Sequence, residues 1–344
     1  MLSSPKQEIW NIKNIEMVSK MAGFGETVEA QAEEKEVKVK PALTVETVKA
    51  GNDLYAHLRA EEDRMREEKQ MTHMFVGIAG HDGTCKSGIV KDAFENDTTK
   101  HSDAELYAVD FDMGVTMLNS AVNNNDKIKC WNPWQMGIHD RTAYDFPGTH
   151  QRVMDIMKFI LHRVNNEGAP VWGVLVSGLD SWLEICTNNM RIIDLGLAKD
   201  GIEAADNRGA GDAKRVERQS DWAIRNTRFH QLTALSRNLV RAGVRVFWET
   251  HLRNTNFSFS KDAESSWQPE WEKKTNNYLP TIIWMETEEE HDDEGDLVKT
   301  EYKARFHKCK TNPSLQDQTR TVFVTKPDGE YQWYGLSELY DGSL

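Results

Sequence analysis

Phe75-Val76-Gly77-Ile78-Ala79-Gly80-His81-Asp82-Gly83-Thr84-Cys85-Lys86-Ser87-Gly88-Ile89-Val90 is the stretch that decides the fold. A short apolar run ends in glycines, and Lys-Ser opens a segment with Ile89, Val90, Ala93 and Phe94 on one helical face. Strand, glycine loop and helix in that order form the grammar of a phosphate-binding loop, G-x-x-x-x-G-K-[ST]. Such a loop curls backbone N–H groups toward an anion at a helix N-terminus, where the helix dipole also favours negative charge. On this reading Gly80, Gly83, Thr84, Cys85, Lys86 and Ser87 surround the phosphates, with Lys86 on the β/γ-phosphates and the Ser87 hydroxyl on Mg²⁺. Cys85 departs from the pattern, standing where glycine is usual. A left-handed backbone at a non-glycine residue costs roughly 1–2 kcal/mol, which a folded domain can carry. The competing reading is an ordinary glycine-rich turn with Lys86 solvated. The flanking strand and helix signals favour the phosphate loop.

Downstream, residues 106–114 read as a strand ending in the carboxylates Asp110 and Asp112. Residues 123–147 read as loop, and Thr149 as the cap of a helix whose stripe is Val153, Ile156, Met157, Ile160, Leu161 and Val164. Gly168 stops that helix. A buried strand, 171–176, leads into Ser177-Gly178-Leu179-Asp180-Ser181. Residues 192–211 look irregular, and a long helix over 213–241 turns Trp222, Phe229, Leu232, Leu239 and Val240 inward. Strand 244–251 ends in His251, and residues 252–277 show no period, which in so long a loop often marks function. Strands at 281–286, 302–308 and 321–325 follow, with the acidic run 288–296 as a solvated hairpin tip and 331–334 as a closing hairpin strand. Strands alternating with helices and then following one another predict an α/β fold, a mainly parallel sheet flanked by helices and extended by antiparallel strands.

Upstream, residues 1–70 form an acidic, partly helical or disordered arm, and a solvated helical linker over 43–70 suits them better than a partner-binding helix. Residues 71–327 make the main domain and 328–344 a hairpin strand and tail. The net charge of −13 over 344 residues excludes a generally basic nucleic-acid coat, so nucleic-acid contact would need a local basic face. The basic residues Arg208, Lys214, Arg215, Arg218, Arg225 and Arg228 offer such a stripe, although interspersed acids suit a mixed solvated face better. The longest apolar run, around 171–179, is far short of the ~20 residues that cross a bilayer. The first residues lack a signal-peptide pattern. The four cysteines, Cys85, Cys130, Cys186 and Cys309, are scattered without metal spacing. A cytoplasmic protein (in the host cytoplasm if viral) is the expectation.

Nucleotide hydrolysis needs a carboxylate for Mg²⁺, a group that orients water, a sensor of the γ-phosphate and positive charge. These belong at the C-terminal edges of parallel strands beside the phosphate loop. Asp110, Asp112, Asp180 and His251 stand at such ends, and Lys308 and Lys310 close a late strand. A strand-end turn for the aspartates, a structural role for His251 and a solvated strand face for the lysines are the plain alternatives.

In this order the motifs resemble the RecA-like P-loop ATPases, most closely the phage-encoded relatives associated with recombination, over about residues 75–324. The resemblance implies that Asp112 inherits the water-activating carboxylate, with a shorter side chain than the family's glutamate. Asp180-Ser181 matches the strand end that holds Mg²⁺, unless Ser177 occupies that place with its carboxylate lost. His251 matches a polar γ-phosphate sensor. Phe306-His307-Lys308-Cys309-Lys310 is similar to a Lys-x-Lys strand end that completes a neighbour's site in filaments or rings. The implied function is an ATP- and Mg²⁺-dependent ATPase acting as a homo-oligomer on DNA, with Phe257, Phe259 and Trp267 available to stack single-stranded bases. Recombination, annealing or replication support leads. A packaging or unwinding motor and a non-catalytic nucleotide-dependent interaction protein remain as alternatives.

Overall fold

The computed structural model describes residues 55–59, 74–137, 144–194, 219–254 and 267–344. The chain divides into two compact units, residues 1–67 and 68–344. In the first, residues 55–59 are helical with Tyr55 and Leu58 exposed. The rest of the 1–70 arm lies outside the described residues, as does the 195–218 part of the stretch expected to be irregular and then helical.

Among the described residues of the second unit ten strands follow: β1 (Phe75–Gly80), β2 (Glu105–Asp110), β3 (Ile128–Trp131), β4 (Val171–Ser177), β5 (Arg245–Asn254), β6 (Trp267–Pro269), β7 (Thr281–His291), β8 (Leu297–Cys309), β9 (Thr319–Thr325) and β10 (Tyr331–Trp333). They form one mixed sheet in the order β10-β9-β8-β7-β1-β5-β4-β2-β3, with β6 paired to the end of β5. From β7 to β3 every neighbouring pair is parallel, while β8, β9 and β10 add an antiparallel extension. The expected α/β class, a mainly parallel sheet flanked by helices with antiparallel strands at the end, is what the chain forms. β1 is buried along its whole length, as an apolar strand covered on both faces must be.

Helices cover the two faces: α1 (Lys86–Asn96), α2 (Gly114–Ala121), α3 (Phe146–Glu167), α4 (Leu179–Asn189), α5 (Gln219–Arg241) and the short α6 (Thr275–Tyr278). Strand side chains alternate between faces, so each strand feeds two cores. Val174, Val176, Val246 and Trp248 meet Val153, Met157, Trp182, Phe229 and Leu232 of α3, α4 and α5. Val76, Ile78, Leu175 and Phe247 meet Ile89, Val90 and Phe94 of α1, Val115 of α2, and the C-terminal Leu336, Leu339 and Leu344. Each such buried side chain contributes about 1.5–3 kcal/mol.

Several sequence expectations need correcting. Thr149 is not the cap of α3. Asp145 is, accepting the Gly148 N–H at 2.9 Å, while the buried Thr149 hydroxyl accepts the Gln135 N–H. Pro147 at the helix start shifts the boundary toward Asp145, because its missing N–H costs nothing there. The stretch expected as loop over 123–147 contains β3, a four-residue edge strand too short to show a period. Residues 252–277 likewise hold the end of β5, β6 and α6. The acidic run continues β7 to His291, since Lys299 and Lys303 of β8 pair with Glu290 and Glu288 across the hairpin. Trp222 faces outward, 36% exposed, beneath the Arg225 guanidinium.

Candidate functional site

The glycine loop leaves β1 at the sheet's C-terminal edge and enters α1 at Lys86. A side chain at Gly80 would place its Cβ 2.5 Å from Thr84 Oγ1 and 2.8 Å from the Met285 Cβ, so only glycine fits. Cys85 adopts the left-handed conformation, φ 61°, that the usual glycine would supply. No side chain caps α1. The buried Thr84 hydroxyl donates to the His81 carbonyl at 2.8 Å. Lys86 Nζ folds back over the loop and donates to the carbonyls of His81 (2.8 Å) and Gly80 (3.1 Å). Burial pulls the Lys86 ammonium below its usual range, opposed by the charges of Glu249, Asp82, Asp112 and Asp180.

Ser87, the residue expected on Mg²⁺, donates its hydroxyl to Glu249 Oε2 at 2.7 Å. Glu249 lies in β5 abreast of Ile78 of β1, 1% exposed, and its Oε1 has no hydrogen-bond partner. Burial pushes its carboxyl up to about 7, partly offset by the Ser87 hydroxyl and the Lys86 charge. Sequence reasoning missed this residue. Its signal was an acid directly after the apolar run Val246-Phe247-Trp248 of a buried strand, where an ionisable group is rare unless paired.

Asp110 ends β2 abreast of Ser177, the last residue of β4. Asp110 is fully buried and accepts the Thr116 N–H and hydroxyl at 2.8 and 2.6 Å, so it anchors the start of α2. Burial raises its carboxyl. Asp112 stands exposed beyond the strand and accepts from Ser177 Oγ at 3.0 Å and the Gly114 N–H at 3.1 Å. Partial desolvation raises the Asp112 carboxyl, but the hydrogen bonds from Gly114, Asp110 and Ser177 outweigh it and hold it below the usual range. Of the two aspartates, Asp112 is the one open to solvent at the mouth.

The strand end matched to the Mg²⁺ carboxylate is Ser177, and Asp180 sits in the first turn of α4. Asp180 Oδ2 lies 3.3 Å from His251 Nδ1, and its Oδ1 has no hydrogen-bond partner. His251 is abreast of Gly80 and places Nε2 2.7 Å from Asp82 Oδ1 of the loop. The Asp180 hydrogen bond holds the imidazole above its ordinary pKa, against the pull of burial. His251 thus ties β5 to both the glycine loop and α4.

Lys308 and Lys310 are not brought to this cluster. β8 runs antiparallel, with Lys308 abreast of Ile282 and Ile282 abreast of Gly77. That places the two lysines two strands away and toward the opposite edge, on the order of 10 Å in each direction. Lys308 Nζ donates to the carbonyls of Asn276 and Leu279, whereas Lys310 lies exposed just past the strand. Trp267, 39% exposed, meets the His81 ring edge-on at 4.5 Å, so β6 does bring an aromatic beside the loop. Phe257 and Phe259 lie outside the described residues, as do Arg208, Lys214, Arg215 and Arg218.

Among the described residues no group of three or more His, Cys, Asp or Glu side chains gathers to hold a metal ion, and no helix is long and apolar enough to cross a membrane. The chain matches no protein-family model and no curated protein.

Proposed function

We propose that the chain is a RecA-like P-loop ATPase that binds ATP with Mg²⁺ and works on DNA, supporting recombination, annealing or replication. The observation that carries the reading is the loop itself. Gly80, Thr84, Lys86 and Ser87 surround an uncapped helix start at the C-terminal edge of a central parallel strand, among Asp112, Asp180, Glu249 and His251. An anion entering there meets first-turn N–H groups and the Lys86 ammonium, which is held by two loop carbonyls that phosphate oxygens would replace. Ser87 and the carboxylates around it suit Mg²⁺, which binds through one or two carboxylates plus phosphate oxygens and so needs no all-protein cage. The ion would neutralise charge on the phosphates. Asp112, ionised and at the mouth, orients the attacking water. His251 reports the occupancy of the loop through Asp82. The exposed Trp222 and Trp267, with Arg225 and His81 against their rings, support a single-stranded DNA partner on the same edge.

Binding of a fluorescent ATP analogue tests the core of this reading. Lys86→Ala removes a charge-assisted contact worth roughly 1.5–3 kcal/mol and should weaken binding at least tenfold with the fold intact. Unchanged affinity in a folded Lys86→Ala protein would defeat it. Turnover measured with single-stranded, duplex and no DNA then separates an ATPase on DNA from a non-catalytic binder.

A further inference from the structure

We propose that Glu249, on the strand beside the phosphate loop, is the carboxylate that fixes the divalent cation together with Ser87. The inference rests on the nucleotide reading above and assigns a part of that site which the sequence motifs place elsewhere. Three observations lead to it. Ser87 Oγ donates to Glu249 Oε2 at 2.7 Å, which leaves the hydroxyl lone pairs free for a cation. Glu249 Oε1 is buried without a hydrogen-bond partner, and although the Lys86 charge and the Ser177 hydroxyl lie nearby, burial still disfavours its charged form unless further positive charge meets it. The other acids are engaged in different work: Asp110 anchors α2, Asp112 takes Ser177 and Gly114, and Asp180 faces His251.

The sheet register explains the displacement. Asp110 of β2 and Ser177 of β4 are abreast, as are Val176 of β4 and Trp248 of β5, so the row continues through Glu249 to Ile78 of β1. Within that row β4 ends in a hydroxyl where its neighbours carry acids. The negative charge has moved one strand toward the loop, directly onto the serine.

Affinity for a non-hydrolysable ATP analogue, measured with Mg²⁺ and again with EDTA, tests this without recourse to turnover. In the wild type, Mg²⁺ should tighten binding at least tenfold. Glu249→Gln, isosteric and uncharged, should bind the analogue in EDTA as well as the wild type or better, and lose most of the Mg²⁺ gain. Glu249→Asp should keep a measurable part of it, and Asp180→Asn nearly all. Combining Glu249→Gln with Ser87→Ala should cost little beyond either change alone, because both act on one ion. A full Mg²⁺ gain in Glu249→Gln, or its loss in Asp180→Asn alone, overturns the assignment and leaves the phosphate-loop reading standing. A wild type that binds the analogue under neither condition overturns both. If Glu249→Gln does not fold, Glu249→Asp and Ser87→Ala decide: a full gain in either of these overturns the assignment.

Discussion

Cys85 holds the one loop position where the backbone is left-handed and glycine is usual. Cys85→Gly trades roughly 1–2 kcal/mol of strain against the greater freedom of glycine in the unfolded chain. Its unfolding free energy should therefore lie within about 1 kcal/mol of the wild type, measured by urea denaturation. Cys85→Val, β-branched at the same φ, should lose clearly more. Burial pushes the thiol up to about 11, with Lys86 opposing. Alkylation of Cys85 by iodoacetamide should therefore be slow at pH 8 and rise toward pH 11. A second residue contributes stability that acid removes. His150 stacks on Trp182 at 4.9 Å, and burial, aided by the Arg228 charge, brings its imidazole down to about 4. The unfolded chain binds that proton near 6.5, so the stability it contributes is present above pH 6.5 and lost as pH falls toward 4. After allowance for its partial exposure the loss is about 1–2 kcal/mol. His150→Phe should keep the stack and flatten unfolding curves between pH 7 and 4.5; an equal acid loss in that variant would remove His150 as the cause.

Among the elements, the C-terminal tail carries more weight than its length suggests. Leu336, Leu339 and Leu344 are buried against the α1 face, and Trp333 closes over Gly88 of α1. Leu339→Ala should cost about 2–5 kcal/mol in chemical denaturation, while a cost below 1 kcal/mol would mean the tail packs loosely. This docking was not legible in the sequence, where 328–344 looks like a separate hairpin and tail: three leucines among polar residues show no period. The strands that form β1, β2, β4 and β5 were legible because each is built on a short apolar run, such as Leu106–Val109 in β2 and Val246–Trp248 in β5. β3 and β6, three or four residues long, owe their existence to partners elsewhere in the chain. In the site the loop was legible from its pattern alone. The pairing of Ser87 with Glu249 was not, because sheet register, which brings residues 162 positions apart together, leaves no local trace.

For the whole molecule, Lys308 and Lys310 lie away from the loop of their own chain, so the role proposed for them in completing a site requires a second copy. The resemblance that suggests this treats Lys308 and Lys310 alike, whereas the structure separates them. Lys308 is held by two carbonyls and Lys310 is exposed. Lys310→Ala should therefore reduce turnover more than Lys308→Ala, with ATP affinity unchanged in both. A Lys308→Ala, Lys310→Ala protein mixed with Lys86→Ala should recover some turnover, since a mixed interface pairs an intact loop with intact lysines. No recovery in mixtures shown to co-assemble would make them an ordinary strand face.

The position of β1 in the sheet also bears on how the protein is made. Its two neighbours begin only at Arg245 and Thr281. A ribosome adding about 5–20 residues per second takes on the order of 10–30 s to reach the first of them. Throughout that interval Phe75, Val76, Ile78 and Ala79 have emerged without the strands that will enclose them, and Glu249 has not yet been translated. Slow, long-range strand pairing of this kind leaves an apolar edge open to other chains. The growing polypeptide needs shielding over a long interval at the segment that includes the glycine loop, and the proposed nucleotide site is complete only after β5 has been made.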